Sequence, residues 1–183
     1  MDAELVIGAE GVRVHPGGAQ VLTDLMARHE RQVFRLAYRL TGNIEDAKDV
    51  TQEVFLKVHR SLGSLDGGRD PSAWLYRVTV NAVTDLLRKR RPSMPLPEIE
   101  PAGSHPTPER ELLDAERRRL ALEALAQLPL KERSAVVLRD IEGLSTAEVA
   151  EVLGTSEATV RSQVSIARGK LRRIIDRALG RKV

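Results

Sequence analysis

Residues 92–108 read PSMPLPEIEPAGSHPTP, and this segment constrains the fold more than any other. Its 17 residues hold six of the nine prolines and no lysine or arginine. Each proline removes a backbone donor and fixes φ, so the segment cannot be a helix or a central strand. A loop of that length inside one compact domain is unusual. The segment reads as an extended linker over residues 92–107, and 183 residues suffice for two small domains around it.

Both flanks carry helical rather than strand periodicity. Leu22, Leu25, Met26, His29, Val33, Leu36, Ala37 and Leu40 follow helical spacing. Thr41-Gly42-Asn43 ends that helix, and Asn43 with Asp46 caps the next, which runs from about Ile44 to Leu62. Asp70 as cap and Pro71 at the first helical position open a third helix to about Arg90. Beyond the linker, Thr107-Pro108 repeats that start for a helix to about Gln127, and Pro129 begins a short one through Ile141. The fold class is all-α, with two small helical bundles: residues 20–91 and 108–183. Residues 1–19 read as a flexible Gly-rich tail.

Composition closes off several chemistries. There is no cysteine, which excludes disulfides, thiolate metal sites and cysteine nucleophiles. No apolar run approaches the roughly 20 residues that span a bilayer. The acidic start MDAELVIGAEG lacks a signal peptide's basic end and apolar core, so a cytoplasmic protein is expected. His15, His29, His59 and His105 are isolated, and no phosphate loop or nucleophile motif occurs, so neither an enzyme nor a cofactor or metal is expected. The five aromatics, Phe34, Tyr38, Phe55, Trp74 and Tyr76, all precede the linker, which leaves an aliphatic core for the second bundle.

The net charge is only +3, but its distribution is uneven. Residues 144–171, LSTAEVAEVLGTSEATVRSQVSIARGKL, form two helices around a Gly-Thr-Ser turn, the spacing of a helix-turn-helix. Ser145 and Glu148 have capping-box spacing, and Gly154 supplies the turn. In the last helix, Val160, Val164, Ala167, Leu171, Ile174 and Ala178 form an apolar stripe. Arg161, Ser165, Arg168 and Arg172 form a second one. Residues 158–183 hold eight Lys/Arg against one acid. Such a helix neutralises phosphates while its first turn enters the major groove, and free N–H groups at Thr155 to Glu157 can hold a phosphate. A solvated basic helix end is the weaker alternative. Ile166 either contacts a thymine methyl or is simply exposed.

In the first half, Glu45, Asp49, Gln52 and Glu53 line one side of the second helix. That side is a docking surface for a basic partner or a solvated face. A metal site is the weakest reading, because no histidine joins the cluster. Arg77, Asn81, Thr84 and Arg88 share a face of the third helix, beside the loop Leu65-Asp66-Gly67-Gly68-Arg69. Basic groups, an amide and aromatics suit single-stranded DNA with unstacked bases. Asn81 is the better base contact, and Trp74 the better core anchor.

Together these blocks resemble an extracytoplasmic-function (ECF) sigma factor of the sigma-70 family. The resemblance rests on residues 46–55 (DAKDVTQEVF), residues 73–81 (AWLYRVTVN), Leu128-Pro129, Glu132-Arg133, residues 142–145 (EGLS) and residues 159–162 (TVRS), in that order. It implies that Asp49, Gln52, Glu53 and Phe55 dock on the β′ clamp of core RNA polymerase. It implies that Ser64, Leu65, Asp66, Gly67, Gly68, Arg69, Arg77, Asn81 and Arg88 serve the −10 element, where a flipped base is captured. The second bundle would read the −35 element through Thr155, Ser156, Glu157, Thr159, Arg161, Ser162, Ser165 and Arg168. Gln163, Ser165 and Ile166 depart from the family pattern and imply a different −35 preference. The partners implied are core polymerase, through its β′ clamp and β flap, promoter DNA, and an anti-sigma factor that covers both bundles. The alternative from another class is a stand-alone helix-turn-helix regulator that binds duplex DNA as a dimer.

Overall fold

The computed structural model describes residues 6–7, 13–14, 18–61, 71–89 and 108–180. The expected linker, the loop 64–69 and the cap Asp70 lie outside the described residues. Helix α1 spans Gly18–Thr41, α2 Ile44–Ser61 and α3 Ser72–Lys89. After the linker come α4 (Pro108–Ala126), α5 (Leu130–Val136), a π-helical turn (Val137–Ile141), α6 (Thr146–Leu153) and α7 (Glu157–Ala178). The fold is all-α, as expected. One departure lies in the tail, where β1 (Val6–Ile7) and β2 (Arg13–Val14) pair antiparallel. Three of those four residues are β-branched, which suits an extended ladder too short to show a strand period.

Local chemistry sets the helix ends. The Asn43 side chain accepts from the Asp46 N–H at 3.0 Å, and Gly42 turns the chain with φ of 71°. Pro71 stands one position earlier than expected, because its carbonyl already accepts from the Leu75 N–H at 2.8 Å. The Ser145 hydroxyl and Glu148 carboxylate form a reciprocal capping box, and Gly154 ends α6 in the left-handed region. The Ser156 hydroxyl accepts from the Thr159 N–H and opens α7.

Of the residues that helical spacing turns inward on α2, Ala47, Val50, Val54 and Val58 are buried with Val33, Leu36, Ala37 and Leu40 of α1 and Leu75, Val80 and Val83 of α3, whereas Ser61 at the helix end is only half-buried. In the second bundle the buried side chains are aliphatic: Leu128, Leu138, Val149, Val160 and Val164 among them. The apolar stripe of α7 fades toward its end, where Ala178 is exposed.

The two bundles are not apart. Their buried residues form one continuous cluster. Arg133, with 8% of its surface exposed, reaches from α5 to the carbonyl that ends α1. It donates to Leu40 O at 2.5 Å, Ala126 O at 2.6 Å and Leu128 O at 2.9 Å. A guanidinium thus satisfies carbonyls at the C-terminal ends of two helices, where the helix dipole favours a cation. Burial lowers its pKa. Glu142 accepts from Arg39 and, at 3.2 Å, from the Tyr76 hydroxyl, which joins the approach to α6 to both α1 and α3.

Candidate nucleic-acid and protein interfaces

On α2 the structure presents Asp49, Gln52 and Glu53 to solvent, on the side away from the core. Glu53 pairs with Lys57 at 2.9 Å and Glu45 with Lys48 at the same distance, so the face is less acidic than its sequence suggests. Phe55 differs from the other expected docking residues. It is only 6% exposed and belongs to the core cluster. It lines an apolar groove of about 780 Å³ between α1 and α2, together with Leu22, Met26, Phe34, Leu56 and Gln52. Leu56, 50% exposed, was missed by the sequence reading. Its only signal was an apolar residue on the otherwise polar side.

On α3, Arg77, Asn81, Thr84 and Arg88 are all exposed, and Trp74 packs against the core as expected. They are not equally available. Arg77 donates to the Glu151 carbonyl on α6 at 2.7 Å and lies 3.5 Å from its carboxylate. Thr84 donates back to Val80 O, and Arg88 pairs with Asp85 at 3.1 Å. Ser64, Leu65, Asp66, Gly67, Gly68 and Arg69 lie outside the described residues.

In the helix-turn-helix, Val149 and Ala150 of α6 and Val160, Val164 and Ala167 of α7 are buried, which fixes the crossing of the two helices. The opposite side of α7 exposes Arg161, Ser162, Ser165, Ile166 and Arg168. Gln163 is half-buried instead, so that departure from the family pattern lies off the open face. At the first turn the Ser156 and Thr159 hydroxyls bond each other at 2.9 Å, and Glu157 pairs with Arg161 at 3.1 Å. Thr155 is partly covered. A polar groove borders this face, lined by Arg161, Ser165 and Arg168 and also by Arg139 and Thr146. Arg139 and Thr146 were not expected. The π-helical turn breaks the helical phase, so spacing alone could not direct Arg139 toward α7. Arg168 is held by Asp140 of that turn through two hydrogen bonds, which raise its pKa.

Known proteins combine the same parts. The sigma-70 region 2 model matches residues 25–92 and the sigma-70 region 4 model residues 118–171. The chain is 38% identical over 170 residues to the ECF RNA polymerase sigma factor SigM of Mycobacterium tuberculosis, covering 91% of this chain and 84% of the relative. It is 29% identical over 182 residues to the ECF sigma factor SigW of Bacillus subtilis, covering 93% and 97%. Among solved structures it resembles CnrH in complex with the cytosolic domain of CnrY, with a TM-score of 0.63 and 28% identity over 86% of this chain and 89% of that one. A stand-alone dimeric regulator would need the helix-turn-helix but not the region 2 bundle, so that alternative is not favoured. The chain belongs to the extracytoplasmic-function sigma factors of the sigma-70 family, and it directs transcription initiation at promoters.

Proposed function

We propose that the work is divided among three surfaces of one non-enzymatic, cytoplasmic chain. Residues 20–91 dock on core polymerase and handle the −10 element, residues 92–107 connect, and residues 108–183 read the −35 element. Asp49, Gln52 and Glu53 meet the β′ clamp, with Phe55 and Leu56 supplying the apolar part of that contact. Asn81, with Arg77, Arg88 and the loop Ser64 to Arg69, holds an unstacked −10 base, whose extrusion costs a few kcal/mol. Arg161, Ser162, Ser165 and Arg168 face the −35 duplex, and the start of α7, from Thr155 to Thr159, approaches a phosphate.

 The carrying observation is that the exposed polar residues fall on separate helices: Asp49, Gln52 and Glu53 on α2, Arg77, Asn81 and Arg88 on α3, and Arg161, Ser165 and Arg168 on α7. An anti-sigma protein is the expected regulator, as CnrY is the partner of CnrH in that complex.

The test is reconstitution. Purified chain added to core polymerase should initiate transcription from a subset of a promoter library, and absence of core binding or initiation rejects the reading. Asn81→Ala should impair opening of the −10 region, read by permanganate footprinting, more than it impairs binding to closed duplex. Equal loss in both assays would remove Asn81 from base capture.

A further inference from the structure

Arg168 stands on the exposed stripe of α7 with Arg161 and Ser165, yet its charge is not free. Its Nε–H donates to Asp140 Oδ2 at 2.8 Å, and an Nη2–H donates to Oδ1 at 2.6 Å. Both carboxylate oxygens and one edge of the guanidinium are engaged, the bidentate geometry that fixes the plane of an arginine. Arg168 remains 62% exposed, whereas Asp140 is 27% exposed. The pair therefore leaves the rest of the guanidinium open to solvent. Of five N–H donors, two are spent on Asp140 and three remain.

Asp140 comes from neither helix of the helix-turn-helix. It belongs to the π-helical turn, where the Glu142 N–H bonds Val137 O at 2.9 Å, five residues back. Such turns insert a residue into the helical phase and redirect the side chains that follow. Val137 and Leu138 stay in the core while Asp140 reaches α7. A second tie, Lys170 to Glu132 at 2.7 Å, holds α7 against α5 beside it. The Glu157–Arg161 pair is different: it lies within one helix and uses a single hydrogen bond between two exposed side chains.

We propose that Asp140 is a positioning residue for −35 recognition, which fixes the Arg168 guanidinium at one place on the DNA-facing side and cancels its contribution to sequence-independent attraction. This rests on the −35 reading of α7. An unpaired arginine swings among rotamers and neutralises whichever phosphate is near, which adds affinity on every sequence. A fixed fork keeps its donors but offers them at one position only. The pair carries no net charge, so the gain in discrimination comes with a smaller salt dependence.

The experiment uses holoenzyme assembled from the full chain and core polymerase. Promoter duplexes randomised across the −35 element are selected, and binding to a scrambled −35 duplex is titrated against salt. Wild type, Arg161→Ala, Asp140→Asn and Arg168→Lys are compared, with thermal unfolding of each free chain as a control for folding. Asp140→Asn should broaden the selected −35 set and steepen the log K against log salt slope by about 0.9, the value for one freed cation. Arg168→Lys retains the charge pair but loses the fork, so it should broaden selection without steepening the slope. If wild type selects no −35 sequence and Arg161→Ala changes nothing, the −35 reading fails and the inference with it. If wild type selects and Arg161→Ala loses selection, but Asp140→Asn keeps the wild-type set and slope, the inference alone fails. Loss of binding by Asp140→Asn on all duplexes equally, at unchanged slope and with a lower unfolding temperature, marks a merely structural tie and also overturns it.

Discussion

Arg133 carries a larger structural load than its neighbours because one guanidinium donates to Leu40 O, Ala126 O and Leu128 O together. A buried acceptor left without a partner costs about 1–3 kcal/mol, and water reaching part of the site offsets some of that. Arg133→Ala should therefore lower the unfolding free energy by about 3 kcal/mol, measured by urea denaturation. Arg133→Lys should recover only part of it, because one ammonium cannot span three carbonyls with the reach of a planar fork. Arg161 makes the opposite case. It is exposed and its partner Glu157 is a neighbour on the same helix, so Arg161→Ala should leave stability nearly unchanged. If it contacts a base, the same change weakens −35 binding by about 1–3 kcal/mol and relaxes specificity at one position, read by competition binding. Equal loss on all sequences would mark a phosphate contact.

Helix α6 is only 8 residues long, too short to persist without its ends and its packing. Its capping box and its left-handed Gly154 supply those ends. Ser145→Ala should cost about 1 kcal/mol of unfolding free energy. The Ser145 side chain, and second its backbone N–H, which donates to the Glu148 carboxylate at 2.7 Å, hold the Glu148 pKa below its ordinary 4.5. A depressed carboxyl pKa gives stability that is present above the unfolded value and lost as pH falls through the folded one. Acid unfolding of the wild type should thus be steeper below pH 4.5 than that of Ser145→Ala, a difference that thermal melts across that range would register. Gly154→Ala should cost about 1–2 kcal/mol from backbone strain alone, since no atom lies within 4 Å of the added Cβ. The caps were readable because their partners sit three residues apart. The π-helical turn was not, because its cause is the packing of Val137 and Leu138 into a core built by distant helices.

Among the described residues the two bundles share one core, and polar ties join Arg133 to Leu40 O, Glu142 to Arg39 and Tyr76, and Arg77 to Glu151. A compact chain of this length has a radius of gyration of about 16 Å. The −10 and −35 elements lie at separate sites along a duplex that rises about 3.4 Å per base pair. A linker of 16 residues can span at most about 55 Å, which would let two separated bundles reach such separate sites. Fluorescent labels on α2 and α7 should therefore move apart when holoenzyme forms on a promoter. Glu142→Ala removes the acceptor of both Arg39 and Tyr76, and should increase the radius of gyration of the free chain in small-angle scattering. An unchanged radius would mean that the shared apolar core alone holds the bundles together.

The order of helices, the caps at Asn43 and Ser145 and the helix-turn-helix were legible in the residues, because periodicity and capping act within a few positions of one another. The exposed polar sides of α2, α3 and α7 were legible for the same reason: a helix puts residues three and four apart on one side. Availability was not legible. Arg77 reads as a free basic residue until Glu151 meets it from another helix, and Arg168 until Asp140 does. Phe55 reads as a docking residue, yet only the packing of α1 on α2 turns it into the lining of a groove. The Pro-rich segment argued for two bundles and gave no reason for them to touch. Their contact depends on carbonyls and carboxylates far apart in the chain, whose partners exist only once the helices are in place.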